Sequence, residues 1–240
     1  HGVNYIDTAA PYHKGMSEVL VGKALENGYR DRVYVATKFP PWRLKQPSDF
    51  DAILGEQLSK LRTDHVDMYL MHALGKNWQK LLDMGVREVM DNYKASGRVR
   101  LMGFSFHDDI ETFKFIVDSY DWDFCQIQLN YLDEAFQAGI EGMKYAAAKG
   151  IPVVVMEPLR GGSLAIKPPE EIGALWDTAQ TKYTPAQWGL RWVLNHPEVA
   201  VVLSGMSTLT QIRDNVMTAS NTLPGSLTGK ELDLFEKVKA

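Results

Sequence analysis

Residues 33–72 read VYVATKFPPWRLKQPSDFDAILGEQLSKLRTDHVDMYLMH, and this stretch decides the fold. A valine-rich run at 33–37 has the short length and β-branched content of a buried strand. Residues 48–61 then place Phe50, Ile53, Leu54, Leu58 and Leu61 at helical spacing, after which 66–71 forms a second apolar run. Strand, helix, strand is one βαβ unit. Outward from it the same alternation continues, with further strands predicted at 3–8, 99–104, 124–129, 151–156 and 199–203. Helical patterns lie at 17–27, 78–95, 110–119, 135–149, 185–195 and 209–219, and a last helix is predicted at 229–239. Gly97 and Gly150 stand just past helical patterns, and Ser48 precedes an acidic first turn, as helix-end signals do.

Strict alternation implies parallel strands joined by right-handed crossovers. An open dinucleotide-binding sheet should carry G-x-G-x-x-G after its first strand, and no such run occurs. A closed barrel needs eight strands, since seven would leave two hydrogen-bonding edges in its wall. The chain opens at His1-Gly2 directly into an extended segment, with no initiating Met. The expectation is therefore a (β/α)8 TIM barrel whose first βα unit precedes residue 1, with residues 1–240 as a single domain.

Composition narrows the function classes. The chain has 240 residues, 45% apolar and 23% charged, with a net charge of -4. That mild acidity supplies no broad basic face, so no nucleic-acid partner is expected. No apolar run approaches the roughly 18 residues of a membrane span, so no membrane partner is expected either. One cysteine, Cys125, excludes an internal disulfide and points to a reducing, cytoplasmic setting.

In a barrel of this kind the chemistry gathers at the C-terminal ends of the strands. Asp7, Lys38, His72 and Ser105 end the first four predicted strands about one βα unit apart, so they converge on one mouth. A metal-dependent hydrolase would use several His and carboxylates there, yet only His72 stands at a strand end and Lys38 is a poor metal ligand. A Schiff-base lysine at Lys38 is chemically credible. The third reading adds Tyr12 from the loop after Asp7. A phenol donates a proton sluggishly at neutral pH unless a neighbouring ammonium stabilises the phenolate, and a carboxylate can fix that ammonium. Tyr12, Lys38, Asp7 and His72 would then protonate a carbonyl oxygen while a cofactor supplies hydride, which no side chain carries. The Tyr12 oxygen should lie within hydrogen-bond reach of the Lys38 nitrogen once cofactor is bound.

Asn4-Tyr5-Ile6-Asp7-Thr8-Ala9 followed by Tyr12, Gly15, Ser17-Glu18 and Gly22 resembles the signature of the aldo-keto reductases. Thr37-Lys38 and Leu70-Met71-His72 resemble the same family's next two motifs, and the likeness runs in order along the whole chain. It implies a barrel binding a nicotinamide dinucleotide, NADP(H) or NAD(H), without a Rossmann motif, and acting on a small-molecule carbonyl substrate. It also implies Tyr12 as proton donor, Lys38 and Asp7 tuning it, and His72 orienting the carbonyl. Ser105 and Gln126 resemble the residues holding the nicotinamide carboxamide. Pro158-Leu159-Arg160-Gly161-Gly162 resembles the loop near the pyrophosphate, which brings in Leu159 and Gly161. Ser204, Gly205, Ser207, Gln211 and Asn215 resemble the residues at the adenosine end. Met156 stands where the family often stacks a Tyr on the nicotinamide, Phe106 where it often has Asn, and Thr208 where a cation commonly meets the adenosine 2′-phosphate. The wording is closest to bacterial or archaeal members that often carry an iron–sulfur segment after the barrel; no metal site is expected within these residues. A regulatory or interaction subunit that binds nucleotide with little turnover is the rival reading, and a barrel that binds no cofactor a third. Full retention of the four-residue set argues for the enzyme.

Trp42, Tyr131 and Trp78 are placed in loops after strands, where they would line a substrate pocket or pack against helices. Trp188 and Trp192, four apart on a helix, read as core, and so do Met68, Met71 and Met102. Cys125 reads as buried and inert.

Overall fold

A computed structural model describes residues 2–240, which divide into two compact units, Val3–Gln126 and Ile127–Ala240 with Gly2. Among the described residues there are seven strands, one fewer than a closed eight-stranded barrel requires, and each lies within a predicted run or overlaps it.

In the first unit β1 (Tyr5–Asp7), β2 (Tyr34–Phe39), β3 (Val66–Leu74), β4 (Val99–Phe106) and the start of β5 (Phe124–Gln128) pair in parallel, in chain order. Parallel strands cannot be joined by tight hairpins, and the crossovers are α1 (Ser17–Ala24), α2 (Asp49–Leu61), α3 (Trp78–Asp83), α4 (Val86–Ala95) and α5 (Ile110–Asp118). The 78–95 pattern, predicted as one helix, is thus two. Gly85, at φ 78°, takes a left-handed conformation there that breaks the helical path. Ser48 makes no side-chain cap at the start of α2; the Asp49 carboxylate instead accepts from the Lys45 and Gln46 N–H groups.

Apolar faces of these helices meet the sheet around Phe104, which lies 5.7 Å from Phe113 and 4.9 Å from Trp122. Trp78 and Phe106 are fully buried, so Trp78 packs in the core rather than lining a pocket. Gly22 sets the approach of α1 to α2, since a Cβ on it would stand 2.4 Å from the Lys60 carbonyl oxygen. Asp67, buried on β3, accepts from the Val35 N–H at 2.9 Å and pairs with Arg30 at 2.8 Å and Arg100 at 3.1 Å. A buried carboxylate persists only when so compensated.

In the second unit β6 (Val153–Met156) and β7 (Val199–Val202) pair in parallel, and the Leu129 N–H donates to the Met156 carbonyl just past β5. The helices are α6 (Gly139–Ala148), α7 (Glu170–Trp176), α8 (Pro185–Leu194), α9 (Leu209–Ser220) and α10 (Gly229–Lys239). α7 opens on the acidic pair Glu170-Glu171, which suits the positive end of a helix. Its Trp176 stacks on Trp188 at 4.6 Å, and Tyr131 and Phe235 close the same aromatic core. Tyr131 is therefore core, as are Trp188 and Trp192. Among the described residues no helix is long and apolar enough to cross a membrane.

Candidate active site

Lys38 is a lysine only 1% exposed, because β2 runs between two strands and its neighbours Ala36 and Phe39 admit no water. Burying an ammonium costs several kcal/mol unless its donors are met, at roughly the scale of a broken buried ion pair. Here they are. Nζ donates to Asp7 Oδ1 at 2.7 Å, Asp7 Oδ2 at 2.8 Å and the Thr8 carbonyl at 2.9 Å. The Asp7 carboxylate and the Thr8 carbonyl thus compensate the buried charge. Burial pushes the Asp7 carboxyl above its ordinary value, while the Lys38 charge and hydrogen bonds oppose that shift.

A polar network lies behind this pair. Gln57 on α2 donates to Glu18 Oε1 at 2.6 Å and to the Lys38 carbonyl at 3.0 Å, and accepts from the Tyr69 hydroxyl at 2.7 Å. Thr37 donates to the same Glu18 oxygen at 2.6 Å, and Thr8 to Ser17 at 2.8 Å. Sequence reasoning missed Gln57 and Tyr69. The one available signal was a glutamine on the apolar face of an otherwise amphipathic helix.

Tyr12 sits on a single 3-10 turn, Tyr12–Gly15, 38% exposed, with left-handed backbone at His13 and Lys14. The Lys38 ammonium lies 4.9 Å from its ring centroid. The hydrogen bond expected between the two belongs to the cofactor-bound state; in this structure Asp7 and Thr8 accept from Lys38. The coupling is instead that of a cation facing an aromatic ring.

His72 is half-buried, its ring edge-on to Tyr12 at 6.1 Å and tilted to Trp42 at 5.1 Å. Trp42, 59% exposed, is the one of the three loop aromatics that stands beside the site. Burial, then the Lys38 charge, then His107 bring the His72 pKa down to about 4, so the ring is neutral at physiological pH. Its Nδ1 is buried without a hydrogen-bond partner among the described residues. Ser105, 1% exposed on β4, accepts from the Ala73 N–H at 2.8 Å and faces Gln126 across the β4–β5 register. Asp7, Tyr12, Lys38, His72, Ser105 and Gln126 thus share one unit. Cys125, beside Gln126, is fully buried and its thiol is pushed up by burial, which keeps it inert.

The remaining predicted cofactor residues fall in the second unit, in two groups. Met156 ends β6, and in the loop beyond it Leu159 packs where a Cβ on Gly189 would meet its Cδ2 at 2.7 Å. The Gly161 N–H donates to the Glu157 carboxylate, a residue not singled out in the sequence. After β7, Asn215 donates to Ser204 Oγ at 3.0 Å, while Gln211 Oε1 accepts from the N–H groups of Ser207 at 2.7 Å and Thr208 at 3.2 Å. Thr208 caps α9 by accepting from the Gln211 N–H. Of the first four helical N–H groups, those of Leu209 and Thr210 are the two that this cap leaves for an anion. A Cβ at Gly205 would meet nothing within 4 Å, so the loop is open to a ligand there. Taken unit by unit, the residues present suit a nicotinamide dinucleotide. In the first unit Ser105 has a hydroxyl proton to donate and His72 a buried nitrogen without a partner among the described residues; in the second, the cap of α9 leaves two backbone amides of the kind that suit an anion.

The aldo/keto reductase family model matches residues 1–227. The NADH-specific methylglyoxal reductase of Escherichia coli is 25% identical to this chain, covering 90% of it and 78% of its own length. The L-galactose dehydrogenase of Arabidopsis thaliana is 26% identical over 90% of this chain and 73% of its own length. Among solved structures, an aldo-keto reductase of Bacillus halodurans in its holo form is 27% identical with a TM-score of 0.80, covering 100% of this chain and 83% of that one. One from Klebsiella pneumoniae in complex with NADPH has 26% identity and a TM-score of 0.81, covering 100% of this chain and 81% of that one.

Proposed function

This chain belongs to the aldo/keto reductase family and is an NAD(P)-dependent oxidoreductase; from that premise we propose that it interconverts a small carbonyl compound, aldehyde or ketone, and the corresponding alcohol. When bound, the nicotinamide supplies hydride to the carbonyl carbon. Tyr12 gives its hydroxyl proton to the carbonyl oxygen, and the Lys38 charge, 4.9 Å from the ring, favours the phenolate left behind. Asp7 holds that charge in place through two hydrogen bonds. His72, neutral and therefore carrying one N–H, orients the carbonyl oxygen. In the first unit Ser105 and Gln126 are the candidate nicotinamide contacts. In the second, Met156, Leu159, Gly161, Ser204, Gly205, Ser207, Gln211 and Asn215 are the candidate cofactor residues. We read the seven strands as belonging to a (β/α)8 barrel, residues 1–240 as one catalytic domain, and the cytoplasm as its compartment. The relatives include one named for NADH and one solved with NADPH, which agrees with the proposal that either cofactor serves.

The observation that carries this reading is a buried ammonium held by Asp7 and Thr8 and facing the ring of a half-exposed tyrosine at 4.9 Å. The test is Tyr12→Phe with a generic aldehyde and NADPH. Losing only the proton donor should lower kcat by about 10² or more with cofactor affinity nearly unchanged. Reduction at close to the wild-type rate would mean that another acid is at work.

A further inference from the structure

β3 and β4 are in register at Met71↔Phe104 and again at Leu74↔Phe106. Between those pairs β3 has two residues, His72 and Ala73, and β4 has one, Ser105. Two against one is a β-bulge, a device that re-aims a side chain next to an active site. Ala73 bears its consequence, with φ 49°, the left-handed region that a non-glycine residue adopts only when its surroundings impose it.

A bulge removes its residue from the ladder, so the Ala73 N–H has no carbonyl opposite it. Ser105 Oγ accepts that N–H at 2.8 Å; Ser105 is 1% exposed, while Ala73 itself is exposed. The imidazole of His72 has no such anchor. Its Nδ1 makes no hydrogen bond among the described residues, and its contacts are the rings of Tyr12 at 6.1 Å and Trp42 at 5.1 Å, both on exposed or half-exposed side chains. The direction of the ring is therefore set by its backbone.

We propose that Ser105 is a positioning residue for His72: its hydroxyl oxygen clamps the Ala73 amide, holds the bulge, and so aims the imidazole at the reacting carbonyl. Ser105 accepts in this clamp and keeps its own proton to donate elsewhere, so the role is compatible with a cofactor contact by the same hydroxyl. The inference rests on the proposed role of His72.

The experiment separates the clamp from any cofactor contact by reading it first in the cofactor-free protein. Ser105→Ala removes the acceptor, and Ser105→Thr retains it. By NMR, Ala73 amide exchange should speed by about tenfold in Ser105→Ala, the order expected for one lost hydrogen bond, and the His72 ring resonances should move. Ser105→Thr should stay within about twofold of wild type in exchange and keep the His72 signals in place. With NADPH and a generic aldehyde, kcat should fall by about tenfold in Ser105→Ala at saturating cofactor and recover in Ser105→Thr. Unchanged Ala73 exchange and unchanged His72 resonances in Ser105→Ala would overturn the proposal, even if NADPH binding weakened. Should Ser105→Ala fail to fold, Ser105→Cys keeps the volume with a weaker acceptor and is read in the same way. A His72→Ala variant that reduces aldehydes at the wild-type rate, beside a positive exchange result, would defeat the reading of His72 and leave the clamp standing.

Discussion

Lowering the pH from 7 to 5 should remove about 2 kcal/mol of folding stability through His72 alone. Its pKa in the folded chain is about 4, against an ordinary value of 6.5 once unfolded. The folded state thus refuses a proton that the unfolded chain accepts. Above pH 6.5 neither state binds it and nothing is lost; as the pH falls through 6.5 the unfolded state is favoured, and the loss levels off below 4 at about 3.4 kcal/mol. At pH 5 most of the unfolded chain is protonated at this ring and little of the folded chain is, which gives the figure of about 2 kcal/mol. Burial is the first cause of the depressed value, so the effect should survive in part without the Lys38 charge. Urea unfolding of wild type and His72→Gln at pH 7 and pH 5 isolates it, because His196, also held below its ordinary pKa by burial, is common to both proteins. The variant should lose about 2 kcal/mol less than wild type between the two pH values. Parallel losses would refute the reasoning, since they would place His72 in a folded environment no different from water.

Gly22→Ala should destabilise the chain by about 1–3 kcal/mol in urea unfolding despite the better helix propensity of alanine, because the new Cβ would stand 2.4 Å from the Lys60 carbonyl and 2.8–2.9 Å from Leu61 backbone atoms. Thr208 is occupied as the cap of α9 and supplies no charge, so the dissociation constants of NADPH and NADH at one ionic strength should differ by less than about tenfold, near 1.4 kcal/mol. A preference for NADPH above a hundredfold would mean that another cation reaches the 2′-phosphate.

The elements of this chain were legible because their signals are local. Valine-rich runs and 3.6-residue spacing located all seven strands and most helices, and the strand ends delivered Asp7, Lys38, His72 and Ser105 to one unit. What the sequence hid depends on pairing at a distance. The bulge at His72 and Ala73 exists only relative to β4, and a stretch read alone as Val66–Met71 stops short of it. Gln57 joins the site because α2 packs on β2 and β3, a placement no window of residues contains. The distribution of the Lys38 protons was equally invisible: the residue types named its partners, but only coordinates show that Thr8 takes the third hydrogen bond.

That third hydrogen bond also bears on what Lys38 does not do. An amine attacks an aldehyde through its lone pair, and here three oxygens at 2.7–2.9 Å hold Nζ toward Asp7 and Thr8. Imine formation at Lys38 would have to break these contacts first, which disfavours the route left open by the sequence. A protein that turns over aldehydes beside an unguarded lysine would be trapped as a covalent adduct by its own substrate. The contacts to Asp7 and Thr8 set Lys38 apart from a lysine free to react in that way.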